Sequence, residues 1–159
     1  TPIKSSAASD VYKRQIYYNM VKPVVKYSKK DETFIRKYVY SDEESVAAIT
    51  GRTAEEQHKI ACACENNLYI FTNGNNEIIG SVVLREKDDT LDVVELFIKK
   101  ELRRSENGSK FLDEIEKMAA DEGFARITIP EGDNWHTHTF CYRRGYTKSA
   151  VQGEMEKIL

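Results

Sequence analysis

The 159-residue chain sets 24 Lys and Arg against 26 Asp and Glu, for a net charge of −2. That balance excludes the basic surface that grips a nucleic-acid backbone, and the length suits one domain whose core needs neither disulfides nor a structural metal. No apolar run approaches the roughly 20 residues that span a bilayer, no secretory apolar region precedes the domain, and three cysteines, an odd count, suit reduced thiols in the cytoplasm.

The stretch from Thr1 to Gln15 is small and polar, without helical or strand period, and Ser5 to Gln15 resembles adapter-derived sequence. Residues 1–19 are therefore expected to be a non-native or disordered extension, and 20–159 one domain beginning at Met20. Pro23 to Tyr27 reads as a strand, followed by a helix from Asp31 to Tyr40 with Ser28 and Asp31 as capping residues. Thr53 and Glu56 form a capping box for a second helix to Glu65, stopped by Asn66-Asn67. Leu68 to Thr72 and Ile78 to Arg85 are β-branched runs joined by the hairpin signal Asn73-Gly74-Asn75-Asn76, and Asp88-Asp89 turns into a third run, Leu91 to Ile98. A polar loop from Lys99 to Gly108 leads into an amphipathic helix, Ser109 to Glu122, with Gly123 as its C-cap. Ala125 to Ile129 is a strand, His136 to Arg144 a helix ended by Gly145, and Gly153 to Leu159 a last strand. The order β-α-α-β-β-β-α-β-α-β describes a mixed α/β domain with neither repeat nor linker.

One juncture points to chemistry. A strand ending at Ile98, a loop holding Arg103, Arg104, Ser105, Asn107 and Gly108, and a helix directly after it make an anion site, because a helix N-terminus presents unpaired N–H groups and partial positive charge. A diphosphate fits there; the alternative is an ordinary strand-helix connection with solvated arginines. His58, Cys62 and Cys64 share one predicted helix, and His136, His138 and Cys141 another, but neither group has zinc-site spacing, so they read as packing or surface residues and no metal is expected. Asp113, Glu114, Glu116 and Lys117 read as a solvated helix face, and Tyr38, Tyr40 and Tyr69 as core or cleft wall.

From Asn76 to Leu159 the chain resembles the GNAT superfamily of acyl-CoA-dependent N-acyltransferases. The family pattern is an apolar strand, then, five residues on, the loop Arg/Gln-x-x-Gly-x-Gly/Ala before a long helix; here Ile98 leads to Arg103-Arg104-Ser105-Glu106-Asn107-Gly108-Ser109. A second pattern, Asn followed by Tyr, Gly and an aromatic, runs here from Asn134, with Gly145 and Tyr146 in register and Cys141 at the Tyr position. The resemblance implies a largely antiparallel sheet splayed at the Leu91 to Ile98 strand, with helices flanking it. It implies acetyl-CoA as co-substrate and direct acetyl transfer to a primary amine; with no obvious peptide-docking or partner-binding segment in the chain, an amine of a small molecule is expected in preference to a protein lysine. A homodimer is the common assembly among soluble oligomers.

By the same resemblance, Arg103, Arg104, Ser105, Glu106, Asn107, Gly108 and Ser109 line the diphosphate, Asn134 meets the pantetheine, and the main chain of Phe97 and Ile98 polarises the acyl carbonyl. Attack needs a neutral amine, so a carboxylate base is expected, Glu95 ahead of Asp92; on an ideal strand these face opposite ways unless a bulge intervenes. Two positions depart from the pattern. Glu106 replaces the first loop glycine, and Cys141 stands where many members have the tyrosine that protonates the departing thiolate, with Tyr142 beside it. They raise the alternative of a CoA-binding or structural relative without turnover. A toxin-like transferase acting on charged tRNA is a third reading, disfavoured by the near-neutral charge.

Overall fold

Asn73, the first residue of the expected hairpin signal, organises its turn in the computed structural model, which describes residues 29–64, 67–103, 107–132 and 135–159. Its side-chain oxygen accepts from the N–H groups of Asn75 and Glu77, both at 3.0 Å, while Asn76 takes a left-handed φ of 62° that asparagine tolerates. The turn joins β2 (Leu68–Thr72) to β3 (Ile78–Lys87), and Asp88-Asp89 joins β3 to β4 (Thr90–Ile98). With β1 (Phe34–Lys37), β5 (Arg126–Pro130), β6 (Thr147–Lys148) and β7 (Glu154–Ile158), these form one seven-stranded sheet of order β1-β2-β3-β4-β5-β7-β6. Every pairing is antiparallel except β4 with β5. The helices are α1 (Glu43–Thr50), α2 (Ala54–Ala63), α3 (Asn107–Asp121) and α4 (Trp135–Arg143).

The mixed, largely antiparallel α/β architecture is the one expected, with corrections. The expected helix from Asp31 to Tyr40 is instead β1, because Phe34, Ile35, Arg36 and Lys37 pair with Thr72, Phe71, Ile70 and Tyr69; ladder bonds to β2 outweigh local capping chemistry. α1 was not expected, although Glu43 and Glu44 in its first turn and Gly51 at φ 72° after its end are ordinary start and stop signals. α2 does carry the capping box, Thr53 and Glu56 exchanging 3.1 Å bonds. β6 is an unforeseen two-residue strand, and the expected strand from Pro23 to Tyr27 lies outside the described residues. Tyr40 is 75% exposed rather than core.

α3 packs its apolar face on the sheet, where Phe111, Leu112, Ile115 and Ala119 are buried with Val82, Leu84, Val93 and Ile127. The rings of Phe71 and Phe111 stack at 4.2 Å. Gly80 permits this approach: a Cβ there would come within 2.5 Å of the Phe111 ring and 2.6 Å of the Phe97 carbonyl. Glu116, expected to be solvated, is instead held at the back of α3 by the Tyr146 hydroxyl at 2.9 Å, Lys157 at 3.1 Å and Arg144 at 3.2 Å.

The turn into α1 rests on Asp42, which is buried and accepts from both terminal nitrogens of Arg36, at 2.8 and 2.9 Å, and from the Val39 N–H at 2.9 Å. Burial would raise the Asp42 carboxyl, but Arg36 and Val39 outweigh it and hold the group below its ordinary value of 3.8. A carboxyl depressed by folding stabilises above its unfolded value, and that contribution fades as pH falls through the lower folded value. Asp42→Asn is expected to cost about 1–3 kcal/mol at neutral pH, with a smaller deficit near pH 3, as read from urea midpoints at the two pH values. An equal deficit at both would show that the charged form contributes nothing.

Candidate active site

β4 keeps two neighbours for only part of its length. Its parallel register with β5 covers Thr90↔Arg126, Leu91↔Ile127 and Asp92↔Thr128, whereas its pairing with β3 continues to Ile98. Beyond Asp92, β5 pairs with β7 on its far side, so the sheet opens between β4 and β5. This is the expected splay. A bulge lies within it: Val83 pairs with Glu95 and Leu84 with Val93, leaving Val94 as the extra residue, 42% exposed. The extra residue shifts the alternation, so Asp92, Glu95 and Phe97, opposite Arg85, Val83 and Ser81, all fall on one face of the strand.

That face is the one overhung by the junction of α1 and α2. Arg52, in the junction, reaches Glu95 Oε1 at 2.5 Å, and its guanidinium lies 5.1 Å from the centre of the Phe97 ring. The Glu95 side chain is 36% exposed, and its second oxygen has no partner among the described residues. Asp92 is differently placed. It is buried, with Oδ2 on Arg85 at 2.5 Å and Oδ1 accepting from the Thr128 hydroxyl at 2.9 Å. Of the two carboxylates, Asp92 is committed to joining β3, β4 and β5, and Glu95 is the one open to a ligand.

Main-chain direction separates Phe97 from Ile98. The Lys99 N–H bonds to the Ile79 carbonyl at 2.9 Å, and peptide groups alternate sides along a strand, so Phe97 turns its N–H and carbonyl to β3 while Ile98 turns its own to the open side. Arg103 marks that side by donating from Nε to the Ile98 carbonyl at 2.9 Å. The Phe97 N–H is thus taken up by the sheet, a correction to the expectation that both residues offer main chain to a ligand. Phe97 instead supplies its ring to Arg52.

The helix expected from Ser109 begins two residues earlier, at Asn107, which puts Gly108 and Ser109 in the first turn of α3. A Cβ on Gly108 would lie 3.4 Å from Phe140 of α4 and 3.8 Å from Ile98, so strand end, helix start and α4 converge there. The positive end of a 15-residue helix beside the open edge of β4 fits an anionic, extended ligand. Arg104, Ser105, Glu106 and Asn134 lie outside the described residues.

The two proton-donor candidates diverge. Cys141 is a core residue, 4% exposed, packed with Phe111, Ile115 and Tyr146. Burial pushes its thiol up to about 11 despite the nearby Arg144. Tyr142 points the other way and is 65% exposed. Arg52 is the site residue that sequence reasoning missed; it is 43 positions from Glu95 and carries no motif, so no local signal could have found it. Among the described residues no group of three His, Cys, Asp or Glu is placed to hold a metal ion.

The model of the Acetyltransferase (GNAT) family matches residues 25–146. Among solved structures, the chain is similar to a GNAT-superfamily phosphinothricin acetyltransferase from Sinorhizobium meliloti in complex with AcCoA, with a TM-score of 0.64 and 13% identity over 80% of this chain and 89% of that one. The PaiA N-acetyltransferase from Thermoplasma acidophilum in complex with coenzyme A gives 0.61 and 17% over 80% and 99%. The ribosomal-protein-S18-alanine N-acetyltransferase from Escherichia coli gives 0.63 and 11% over 78% and 90%. No curated protein sequence matches.

The burial of Cys141 has a direct test. With iodoacetamide at about pH 8, Cys62 and Cys64 of the folded protein are expected to alkylate while Cys141 does not until denaturant is added, as followed by peptide mass spectrometry. Labelling of Cys141 at the rate of Cys64 would place its thiol on the cleft.

Proposed function

We propose, since this chain belongs to the Acetyltransferase (GNAT) family of acyl-CoA-dependent N-acetyltransferases, that it transfers an acetyl group from acetyl-CoA to the primary amine of a small molecule by direct attack in a ternary complex. The observation that carries this reading is the release of β4 from β5 after Asp92, with Glu95 on the freed stretch and α3 starting beside its end. Acetyl-CoA, when bound, supplies the acetyl group as an activated thioester.

Each residue then has a defined task. The start of α3, with Gly108 and Ser109, is assigned to the diphosphate together with Arg103, Arg104, Ser105, Glu106 and Asn107, and Asn134 is assigned to the pantetheine. The outward N–H of Ile98 donates to the acyl carbonyl, where charge develops during attack. Glu95 takes the proton of the incoming ammonium, because an alkylamine with pKa near 10.4 is only about 0.1% neutral at pH 7. Arg52 is a positioning residue: its bond to Oε1 and its stacking on Phe97 hold the carboxylate so that Oε2 faces the acceptor. Asp92 keeps the split strand in place. A compact amine is favoured as acceptor by the phosphinothricin acetyltransferase among the similar structures. The cytoplasm is the proposed setting, with a homodimer as the assembly to test by light scattering.

A second reading, a relative that binds CoA without turnover, draws on Cys141, whose buried thiol is no source of a proton for the departing thiolate. Calorimetric titration of acetyl-CoA, followed by an amine screen for thiol release, separates the two. Micromolar binding is expected, lost in Arg103→Ala and in Gly108→Glu, which sets a carboxylate at the helix start against Phe140. Glu95→Gln is expected to lower kcat by about 100-fold or more with acetyl-CoA binding unchanged. Binding without thiol release for any amine would establish the second reading, and no binding at millimolar acetyl-CoA would remove both.

A further inference from the structure

We propose that Cys62 is a reactive thiol, assisted by His58 as general base, at which a low-molecular-weight disulfide modifies this protein by thiol–disulfide exchange. His58 and Cys62 lie one turn apart on α2, with Sγ 3.6 Å from Nε2. On the other side of the ring, Nδ1 is 3.1 Å from Glu43 Oε2, which α1 brings across. The Tyr40 ring meets the imidazole edge-on, with centroids 6.0 Å apart.

Proton bookkeeping gives the arrangement a direction. An ionised carboxylate can only accept, so Nδ1 carries a hydrogen toward Glu43; in neutral imidazole Nε2 is then the bare nitrogen, and it faces the Cys62 thiol. Nucleophile, base and orienting carboxylate thus stand in sequence, contributed by two helices. On α2 itself, the exposed Glu55 and Lys59 pair with each other at 3.5 Å. Cys62 is exposed and the His58 side chain is 52% exposed, so a solute can reach the sulfur. Exchange with a disulfide needs only a nucleophile, a proton acceptor and access, whereas acyl chemistry would also need oxyanion donors.

In the step, Cys62 Sγ attacks one sulfur of R–S–S–R, the Cys62–S–S–R bond forms as the original S–S bond breaks, and RS⁻ departs. The thiol proton passes to His58 Nε2 and on to water or the departing thiolate. Cys62 is oxidised and the disulfide reduced by the same electron pair. The site is built from α1 and α2 without a residue of β4, and the proposal does not depend on acetyl transfer.

The test treats the full chain with 5,5′-dithiobis(2-nitrobenzoate) at neutral pH and resolves each cysteine by peptide mass spectrometry. Cys62 is expected to react at least about 10-fold faster than Cys64, and His58→Gln to bring it to the Cys64 rate while Cys64 itself is unchanged. Equal rates at the two cysteines, or a Cys62 rate unmoved by His58→Gln, would overturn the proposal. Should that variant also expose Cys141, and so report unfolding, Glu43→Gln carries the test: a slower Cys62 supports the relay and an unchanged one overturns it.

Discussion

Release of β4 from β5 after Asp92 is the constraint on which the rest of the site depends. Buried backbone groups must find partners, so a strand that gives up its neighbour is stable only where a ligand, water or another segment takes the place. The parallel sense of the β4–β5 pair has a second consequence. Parallel neighbours cannot be joined by a tight turn, and the crossover that links them is α3, whose N-terminus therefore begins at the freed end of β4. Open edge and helix dipole come together because one topology requires both.

The bulge at Val94 divides labour between two carboxylates. Without it, Asp92 and Glu95 would face opposite sides of the sheet; with it, they share the face under the α1–α2 junction. Asp92 then spends both oxygens, on Arg85 and Thr128, at the point where the strands part. Buried charge is tolerated there because it is paired and hydrogen-bonded. Glu95, three residues on and partly in solvent, is tethered at one oxygen by Arg52 and presents the other.

Position of α3 is set from both sides. Its apolar face approaches the sheet over Gly80, and Glu116 at its back collects the Tyr146 hydroxyl, Arg144 and Lys157, tying the helix to the end of α4 and to β7. Tyr146 is fully buried, and burial together with the Glu116 carboxylate raises its phenol, so it stays protonated and donates. On the opposite face, α1 and α2 supply Arg52 to the cleft and the Glu43–His58–Cys62 relay to the surface.

Local patterns in the sequence determined much of this protein: the alternating runs of β2, β3 and β4, the Thr53 capping box, the amphipathic stripe of α3 with Gly123 after it, and the strand-loop-helix juncture from Ile98 to Ser109. Each is written in neighbouring residues, where capping, turn preference and period act over a few positions. Tertiary structure alone decided that Phe34–Lys37 is a strand, since its ladder partner lies beyond two helices. It also decided that Val94 bulges, that Phe97 turns its main chain inward, that Cys141 sinks into the core and that Arg52 reaches Glu95. These depend on contacts between residues far apart in the chain, whose energies no local pattern encodes.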